Sequence, residues 1–262
     1  MLSYQHIYHA GNLADVHKHA MLAAVLAYLT QKDKPLSYLE THSGRGLYRL
    51  DAPEAAKTGE AAAGIGRAGA LFSADHPYRR ILQDVRARYG PTAYPGSPLV
   101  AALSLRPGDR MRLAELHPRE YAALVEAMRP FGADVRREDG PAFALAATPP
   151  EPRRGLMLID PSYEVKEDYA AMPALLRRVH AKWNVGVLML WYPLLASGAE
   201  TGLAGALDAA DLPRAIRHEV RFPPAREGHG MVGSGLYLVN APFGAAEEAT
   251  RLDRVFAALA GG

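Results

Sequence analysis

Short apolar runs that alternate with helical segments constrain this fold more than any other feature of the sequence. Seven runs are typical of strands, and most consecutive pairs have a helical segment between them. Strands joined in this way form a mostly parallel sheet with right-handed crossovers. The predicted strands are Pro35–Glu40, Arg110–Leu116, Ala133–Asp139, Gly155–Asp160, Val185–Pro193, Arg214–Phe222 and Ser234–Pro242.

Helical periodicity fills most of the connections. The first helix is predicted over Ala14–Lys32, where apolar residues recur at helical spacing; Asn12 is placed to cap it and Pro35 to end it. The last two strands lack a clear helix between them, so we expect an antiparallel pair at one edge. The other predicted helices are Ser97–Leu105, His117–Gly132, Lys166–Trp183 and Gly244–Ala260.

The connection after the first strand is too long for a single crossover. Between Gly46 and Arg110 no strand is predicted, and residues 47–94 indicate an inserted, mainly helical subdomain. Residues 1–46 and 95–262 then form the core domain. Ser97 is predicted to be an N-cap and Pro98 the first helical residue. The turn after the first strand should therefore lie close to the start of this helix.

Composition excludes some classes of protein and leaves the partner open. The chain has no cysteine, which excludes disulfides, thiolate metal sites and a cysteine nucleophile. The formal net charge of +2, from 30 basic and 28 acidic residues, does not by itself indicate a nucleic-acid binder. No secretory signal or membrane-spanning run is recognisable, so we expect a cytoplasmic protein without a membrane partner. The oligomeric state stays open, with a monomer favoured.

Acidic residues and glycines follow the first three strands. The turn 40–46 carries Gly44 and Gly46 but lacks the dinucleotide fingerprint. Glu115 could accept the hydroxyls of a ribose, while Asp139 and Gly140 could hold an adenine. Each has an ordinary alternative, as a turn residue, a helix cap or a solvated carboxylate. Taken in series, they predict a pocket for an adenosine-containing cofactor.

The fourth strand ends in Asp160, Pro161, Ser162 and Tyr163. An aromatic amine is a weak nucleophile, and an enzyme that alkylates it must accept hydrogen bonds from the NH2 group. Asp160 and the Pro161 carbonyl can supply these two acceptors, and Tyr163 can stack on a flipped-out base. A plain strand end with a turn is the alternative.

An Asp-Pro-Pro-Tyr motif after a buried strand is the signature of amino-group methyltransferases, and the whole chain resembles the 23S ribosomal RNA adenine-N6 methyltransferase family of the RlmJ type. The resembling stretches run in one order over nearly the full length. They are MLSYQHIYHAGNLADVHKH, YLETHSGRGLYRL, YPGSPLVA, AELHP, EDG, RRGLMLIDPSYEVKEDY, LWYP and GHGMVGSGLYLVNAP.

The resemblance implies a class I methyltransferase fold, with S-adenosyl-L-methionine as methyl donor, no metal, and 23S ribosomal RNA as partner. It places the catalytic carboxylate on Asp160, with Tyr4 and Lys18 at the target nucleotide. The cofactor contacts that it implies are His19, His42, Ser97, Glu115, Asp139, Gly140 and Asp160.

The sequence departs from the family pattern at Ser162, where a second proline is expected. Both proposed acceptors survive, but the turn loses rigidity. Two alternatives stay open: the same chemistry on DNA adenine, and a non-catalytic nucleic-acid-binding protein of DNA uptake. The histidines at 6, 9, 17 and 19 could suggest a metal site, but His17 and His19 point to different sides of a helix. Paired arginines are candidates for RNA contacts, with solvated faces as the alternative. The pairs are Arg79 and Arg80, Arg136 and Arg137, Arg153 and Arg154, and Arg177 and Arg178.

Overall fold

The computed structural model describes residues 5–224 and 230–261. Its strands are β1 (Ser37–Glu40), β2 (Leu47–Arg49), β3 (Ala93–Pro95), β4 (Arg110–Ala114), β5 (Asp134–Arg136), β6 (Gly155–Ile159), β7 (Val187–Leu195), β8 (Ile216–Arg221) and β9 (Met231–Val239). Its α-helices are α1 (Leu13–Leu29), α2 (Pro53–Thr58), α3 (Glu60–Ala63), α4 (Ile65–Ala68), α5 (Pro77–Tyr89), α6 (Ser97–Ser104), α7 (Pro118–Met128), α8 (Gly140–Ala146), α9 (Glu167–Lys182), α10 (Thr201–Asp208) and α11 (Ala245–Ala260). Single 3-10 turns occupy His6–Tyr8, Gly69–Leu71 and Arg129–Phe131.

Seven strands form one sheet in the order β5-β4-β1-β6-β7-β9-β8. The first five of these are parallel, and β9 runs antiparallel to both of its neighbours. The parallel part has the 3-2-1-4-5 order of a doubly wound sheet. The expected α/β class I methyltransferase fold with about seven strands is therefore confirmed. The last two strands do pair antiparallel, with β8 at the edge and β9 inside the sheet.

Both faces of the sheet are covered by helices. In β6, Leu156 and Leu158 pack on one side with α1, α6, α7 and α11, while Met157 and Ile159 pack on the other with α8, α9 and α10. All five β6 residues are buried. A strand covered on both faces needs apolar side chains at consecutive positions, which explains the continuous apolar run in the sequence.

Helix α1 is the centre of the first helical layer. It starts as predicted, since the Asn12 side chain accepts a hydrogen bond from the Asp15 N–H. It is buried on nearly every side, and its buried residues include the polar Asp15, His17, Lys18 and His19. Buried polar groups must find partners, and those of α1 find them among residues of the site and of the sheet.

The insertion after β1 begins and ends in a short hairpin. Strands β2 and β3 pair antiparallel, with Tyr48 opposite Tyr94. The prediction that no strand lies between Gly46 and Arg110 was therefore wrong, because three-residue strands show no readable alternation. Helices α2 to α5 follow β2, and apolar side chains of α4 and α5 share the core of α1. The division into a core and a 47–94 subdomain stays a prediction.

The structure also contains helices α8 and α10, which were not predicted. Helix α6 begins one residue earlier than expected, with Gly96 as its N-cap and Ser97 as its first residue. Within the described residues, no helix is both long and apolar enough to cross a membrane.

Candidate active site

A cavity of about 500 Å³ opens at the carboxyl ends of β1, β4 and β6. The strand order reverses beside β1, and doubly wound sheets bind ligands at such a point. All the predicted site residues that the structure describes line this cavity; Tyr4 lies outside the described residues. Those that line it are Lys18, His19, His42, Ser97, Glu115, Asp139, Gly140, Asp160, Pro161 and Tyr163.

A buried lysine connects α1 to the end of β6. Lys18 Nζ lies 2.6 Å from Asp160 Oδ2 and 3.2 Å from Asp15 Oδ1. Burial by itself lowers the pKa of Lys18, but the two carboxylates outweigh burial and raise that pKa. The lysine is therefore a permanent ammonium, and it holds one oxygen of Asp160. The other, Asp160 Oδ1, makes no hydrogen bond within the described residues.

Asp15 anchors this lysine and was not predicted as a site residue. Its Oδ2 accepts hydrogen bonds from the Gly11 N–H and from His6 Nε2, both at 2.9 Å. Burial raises the pKa of Asp15, but the charges of His6 and Lys18 overcome this effect and keep the pKa well below its usual value. Asp15 is thus a buried anion that fixes Lys18 from the side opposite Asp160.

Glu40 is a second residue missing from the predicted site. It is fully buried at the end of β1, where it accepts hydrogen bonds from Ser97 Oγ at 2.5 Å and Tyr38 Oη at 2.7 Å. Burial is the largest influence and raises the pKa of Glu40 to about 8, against the lowering effect of the two hydroxyls. Because the predicted turn began at Glu40, the sequence did place this residue beside the site. Its hydrogen bond to Ser97 could be seen only in the tertiary structure.

The turn after β1 meets Glu115 after β4. Glu115 accepts hydrogen bonds from the Gly44 N–H at 2.8 Å and the His117 N–H at 2.7 Å. Gly44 has φ of +61°, and a Cβ there would lie 2.5 Å from the Tyr48 hydroxyl, so glycine is required. The carboxylate is oriented by the backbone, and each oxygen keeps a lone pair for another donor.

Asp139 and Gly140 start helix α8. Asp139 is its N-cap and accepts a hydrogen bond from the Ala142 N–H at 3.1 Å, so this side chain caps a helix and does not form the Asx turn that was the alternative. A Cβ on Gly140 would lie 2.5 Å from the ring of His42 and 2.7 Å from the Thr41 carbonyl oxygen. The missing side chain therefore makes room for His42, which lines the cavity.

His19 and His42 are both held as neutral rings. Burial, opposed by Asp15 and assisted by Lys18, lowers the pKa of His19 to about 3, and its Nδ1 lies 2.9 Å from the Tyr94 hydroxyl. Burial also lowers the pKa of His42, whose Nδ1 lies 2.7 Å from Thr41 Oγ1. Neutral histidines can donate or accept one hydrogen bond without adding charge.

The segment after β6 has an unusual backbone. Tyr163 has φ of +55°, a conformation that costs a bulky residue on the order of 1 kcal/mol or more. Its hydroxyl donates to the Trp191 carbonyl at 2.9 Å, and its ring lies 4.6 Å from that of Tyr169. These contacts fix the ring of Tyr163 in the cavity wall. The Pro161 carbonyl oxygen accepts no hydrogen bond within the described residues.

The two aromatic residues of the Leu-Trp-Tyr-Pro stretch have different environments. Trp191 lines the cavity and is half-buried, with Lys18 Nζ 5.5 Å from its ring centroid. Tyr192 is fully buried and its hydroxyl donates to Glu219. Trp191 therefore belongs to the site, whereas Tyr192 belongs to the core.

His17 and His19 have different hydrogen-bond partners. His17 contacts Ser234 and His218, whereas His19 contacts Tyr94. Within residues 5–224 and 230–261, no group of three or more metal-ligating side chains is arranged to hold a metal ion. Three of the predicted arginine pairs have a member engaged with the protein itself. Those members are Arg79 with the Phe72 carbonyl, Arg136 with Asp134, and Arg154 with the Lys34 carbonyl.

Comparison with known proteins gives one consistent family. The family model described as "Ribosomal RNA large subunit methyltransferase D, RlmJ" matches residues 33–259. Two curated proteins named Ribosomal RNA large subunit methyltransferase J, from Escherichia coli K12 and Haemophilus influenzae, are each 37% identical; each alignment covers 93% of this chain and 88% of the relative. A crystal structure of a Legionella pneumophila protein superposes with a TM-score of 0.87 at 34% identity, covering 96% of this chain and 94% of that one.

The doubly wound sheet, the acidic cavity at its switch point and the Asp-Pro-Ser-Tyr strand end define a class I methyltransferase. The family match over residues 33–259 and the two curated relatives show which methyltransferase family this is. The chain belongs to the ribosomal RNA large subunit methyltransferase family of the RlmJ type.

Proposed function

We propose that the protein transfers a methyl group from S-adenosylmethionine to N6 of an adenine in 23S ribosomal RNA. One observation carries the proposal: Asp160 and the Pro161 carbonyl end β6 in the same cavity as Glu115 and Asp139. Hydrogen-bond acceptors for an amine and residues that could bind an adenosine therefore line the same cavity. The names of the relatives, which specify ribosomal RNA of the large subunit, favour that RNA as the acceptor.

The residues present fit S-adenosylmethionine. The Ser43 hydroxyl is buried in the cavity wall and has no hydrogen-bond partner within the described residues, so a ligand could satisfy it. Glu115 would hold the ribose, and Asp139 and Gly140 the adenine. The start of α6 at Ser97 would favour the carboxylate of the cofactor. When bound, S-adenosylmethionine supplies a methyl group activated by a positively charged sulfur.

The chain contributes by positioning the target amine. Asp160 Oδ1 and the Pro161 carbonyl would accept its two hydrogens, which turns the nitrogen lone pair away from the ring. Positive charge then develops on nitrogen beside the Asp160 carboxylate, which Lys18 keeps in place. Acceptors fixed before the reaction stabilise this charge without reorganisation. The surplus proton leaves to Asp160 or to water, and direct displacement needs no covalent enzyme intermediate.

Aromatic side chains would hold the flipped base. Tyr163 and Trp191 both line the cavity, with ring centroids 6.1 Å apart. Stacking on an aromatic ring stabilises an extruded base by about 1–3 kcal/mol. We expect Tyr163 to stack on the target adenine, with Tyr4 and Lys18 also near the nucleotide. Because the substrate is ribosomal RNA, the reaction belongs in the cytoplasm.

The test is transfer of labelled methyl groups to unmodified 23S RNA and, in parallel, to unmethylated DNA. Asp160→Asn removes the catalytic carboxylate. Asp134→Asn is the matched control, because Asp134 is exposed at the start of β5 and does not line the cavity. We expect label on RNA only, lost in Asp160→Asn and kept in Asp134→Asn. Label on DNA alone would keep the mechanism and overturn the substrate. No label on either, with S-adenosylmethionine bound, would favour a non-catalytic nucleic-acid-binding protein.

A further inference from the structure

A chain of hydrogen-bonded polar groups runs from the cavity through the interior to the exposed Asp253. Trp191 Nε1 lies 2.9 Å from Ser234 Oγ, which lies 2.8 Å from His17 Nδ1. His17 Nε2 lies 2.9 Å from His218 Nδ1, and His218 Nε2 lies 3.0 Å from Asp253 Oδ1. The chain connects β7, β9, α1, β8 and α11, and no step of the proposed reaction uses its members beyond Trp191.

For two neutral histidines, chemistry fixes the direction of every bond in this chain. The Trp191 indole can only donate and the ionised Asp253 carboxylate can only accept. Ser234 Oγ therefore accepts from Trp191 and donates to His17 Nδ1. His17 Nε2–H then donates to His218, and His218 Nε2–H donates to Asp253. Each intermediate group uses one donor and one acceptor, with both histidines neutral and protonated on Nε2.

Burial reinforces this single arrangement. Ser234 and His17 are fully buried, and His218 is 8% exposed, so water cannot replace a lost partner at the inner members. Burial, followed by the effect of His218, lowers the pKa of His17 well below its usual value. A neutral His17 is what the chain requires, because a protonated ring could not accept from Ser234.

We propose that Trp191 is a substrate-positioning residue and that Ser234, His17 and His218 form a relay that orients its indole. The proposal rests on the proposed function for the identity of the substrate. Trp191 lies between Lys18 Nζ, 5.5 Å from its ring, and Tyr163, whose hydroxyl bonds to the Trp191 carbonyl. Rotation of the indole would therefore change the space beside Asp160 in which the flipped adenine is held.

The experiment uses a pair of variants at the far end of the relay. His218→Asn keeps an acceptor near the position of Nδ1, whereas His218→Leu removes it. Without that acceptor, His17 is free to shift its proton to Nδ1 and donate to Ser234 Oγ, so Ser234 loses the acceptor for its own hydroxyl and its bond to Trp191 weakens. Asp208→Asn is the matched control. Asp208 is exposed and pairs with Arg217, the neighbour of His218 in β8, but it does not contact the relay.

The first readout needs no substrate. The chain has two tryptophans, and the Trp183 indole donates to the Arg153 carbonyl, which makes it an internal reference. In 15N-tryptophan protein, we expect hydrogen exchange of the Trp191 indole to accelerate about fivefold in His218→Leu, the equivalent of one hydrogen bond of ~1 kcal/mol. Exchange should stay unchanged in His218→Asn, in Asp208→Asn and at Trp183. Equal Trp191 exchange in His218→Leu and wild type would overturn the relay.

The second readout is steady-state methylation of the RNA. We expect His218→Leu to raise KM for RNA about fivefold and to leave kcat within twofold, as expected for the loss of uniform binding. A lower kcat at unchanged KM would contradict a positioning role and indicate a loss of folded enzyme. If the wild type methylates nothing, the proposed function fails while the exchange experiment still decides whether the relay exists.

Discussion

Replacing Lys18 by methionine tests whether the buried ion cluster is arranged as described. Methionine keeps the length of the side chain but removes the ammonium that lies 2.6 Å from Asp160 and 3.2 Å from Asp15. The side chains of Asp160 and Asp15 are 13% and 1% exposed, respectively. Without the cation, the two carboxylates would repel each other. We expect a large loss of stability at neutral pH.

The magnitude follows from the distance and the burial. A charge pair at 2.6 Å in an effective dielectric of about 20 interacts by ~6 kcal/mol. Dehydration of the ammonium offsets part of this energy, and breaking a buried pair costs about 3–5 kcal/mol. Burial raises the pKa of Asp15, but the charges of His6 and Lys18 overcome burial and hold that pKa well below its usual value. The stabilisation from Asp15 is therefore present above about pH 4 and is lost as the pH falls further.

The assay is urea unfolding followed by circular dichroism at pH 7. A loss of 3–5 kcal/mol should lower the midpoint by roughly 1–2 M. Lys166→Met, at an exposed position before α9, is the control and should change stability by less than about 0.5 kcal/mol. The double variant Asp15→Asn with Lys18→Met should recover part of the loss, because one unpaired carboxylate is removed. Equal midpoints for Lys18→Met and Lys166→Met would refute the reasoning.

Three further predictions concern single residues of the site. Because the folded-state pKa of Glu40 is raised to about 8, the wild type should lose stability as the pH rises from about 4.5 to 8, up to ~5 kcal/mol. Glu40→Gln should abolish this slope; calorimetric melting across that range measures it, and an unchanged slope would contradict the assignment. Gly140→Ala should displace His42 and weaken S-adenosylmethionine binding at least tenfold, as measured by titration calorimetry. Unaltered affinity would show that His42 can move aside for the added Cβ without loss of binding. Ser162→Pro should raise the free energy of unfolding by about 0.4–1 kcal/mol and retain methylation, because the Ser162 N–H makes no hydrogen bond within the described residues. Destabilisation would mean that the backbone torsion at residue 162 is incompatible with proline.

The sheet was largely predictable because its signals are local. The apolar run before Asp160, the helical spacing after Asn12 and the turn glycines each depend on a few neighbouring residues. The ends of parallel strands must meet at one edge of the sheet, so the proximity of Glu115, Asp139 and Asp160 followed from the predicted topology. The structure brings these three residues to one cavity.

The missing parts of the site depend on distant contacts. Ser97 was predicted to cap its own helix, but its hydroxyl donates to Glu40, 57 residues earlier in the chain. That bond requires the hairpin of β2 and β3 to return the chain to β1. Likewise, the polar residues of α1 gave no indication of their partners, because His17 meets Ser234 only after the whole sheet has formed.

Nucleoside analysis of the methylated RNA tests the central claim most directly. Unmodified 23S RNA would be incubated with labelled S-adenosylmethionine and either the wild type or Asp160→Asn, at equal occupancy of the cofactor site, and then digested to nucleosides. We predict label in N6-methyladenosine with the wild type and a loss of at least a hundredfold in Asp160→Asn. Label in any other nucleoside, or equal N6-methyladenosine from both enzymes, would contradict the role assigned to Asp160 at the end of β6.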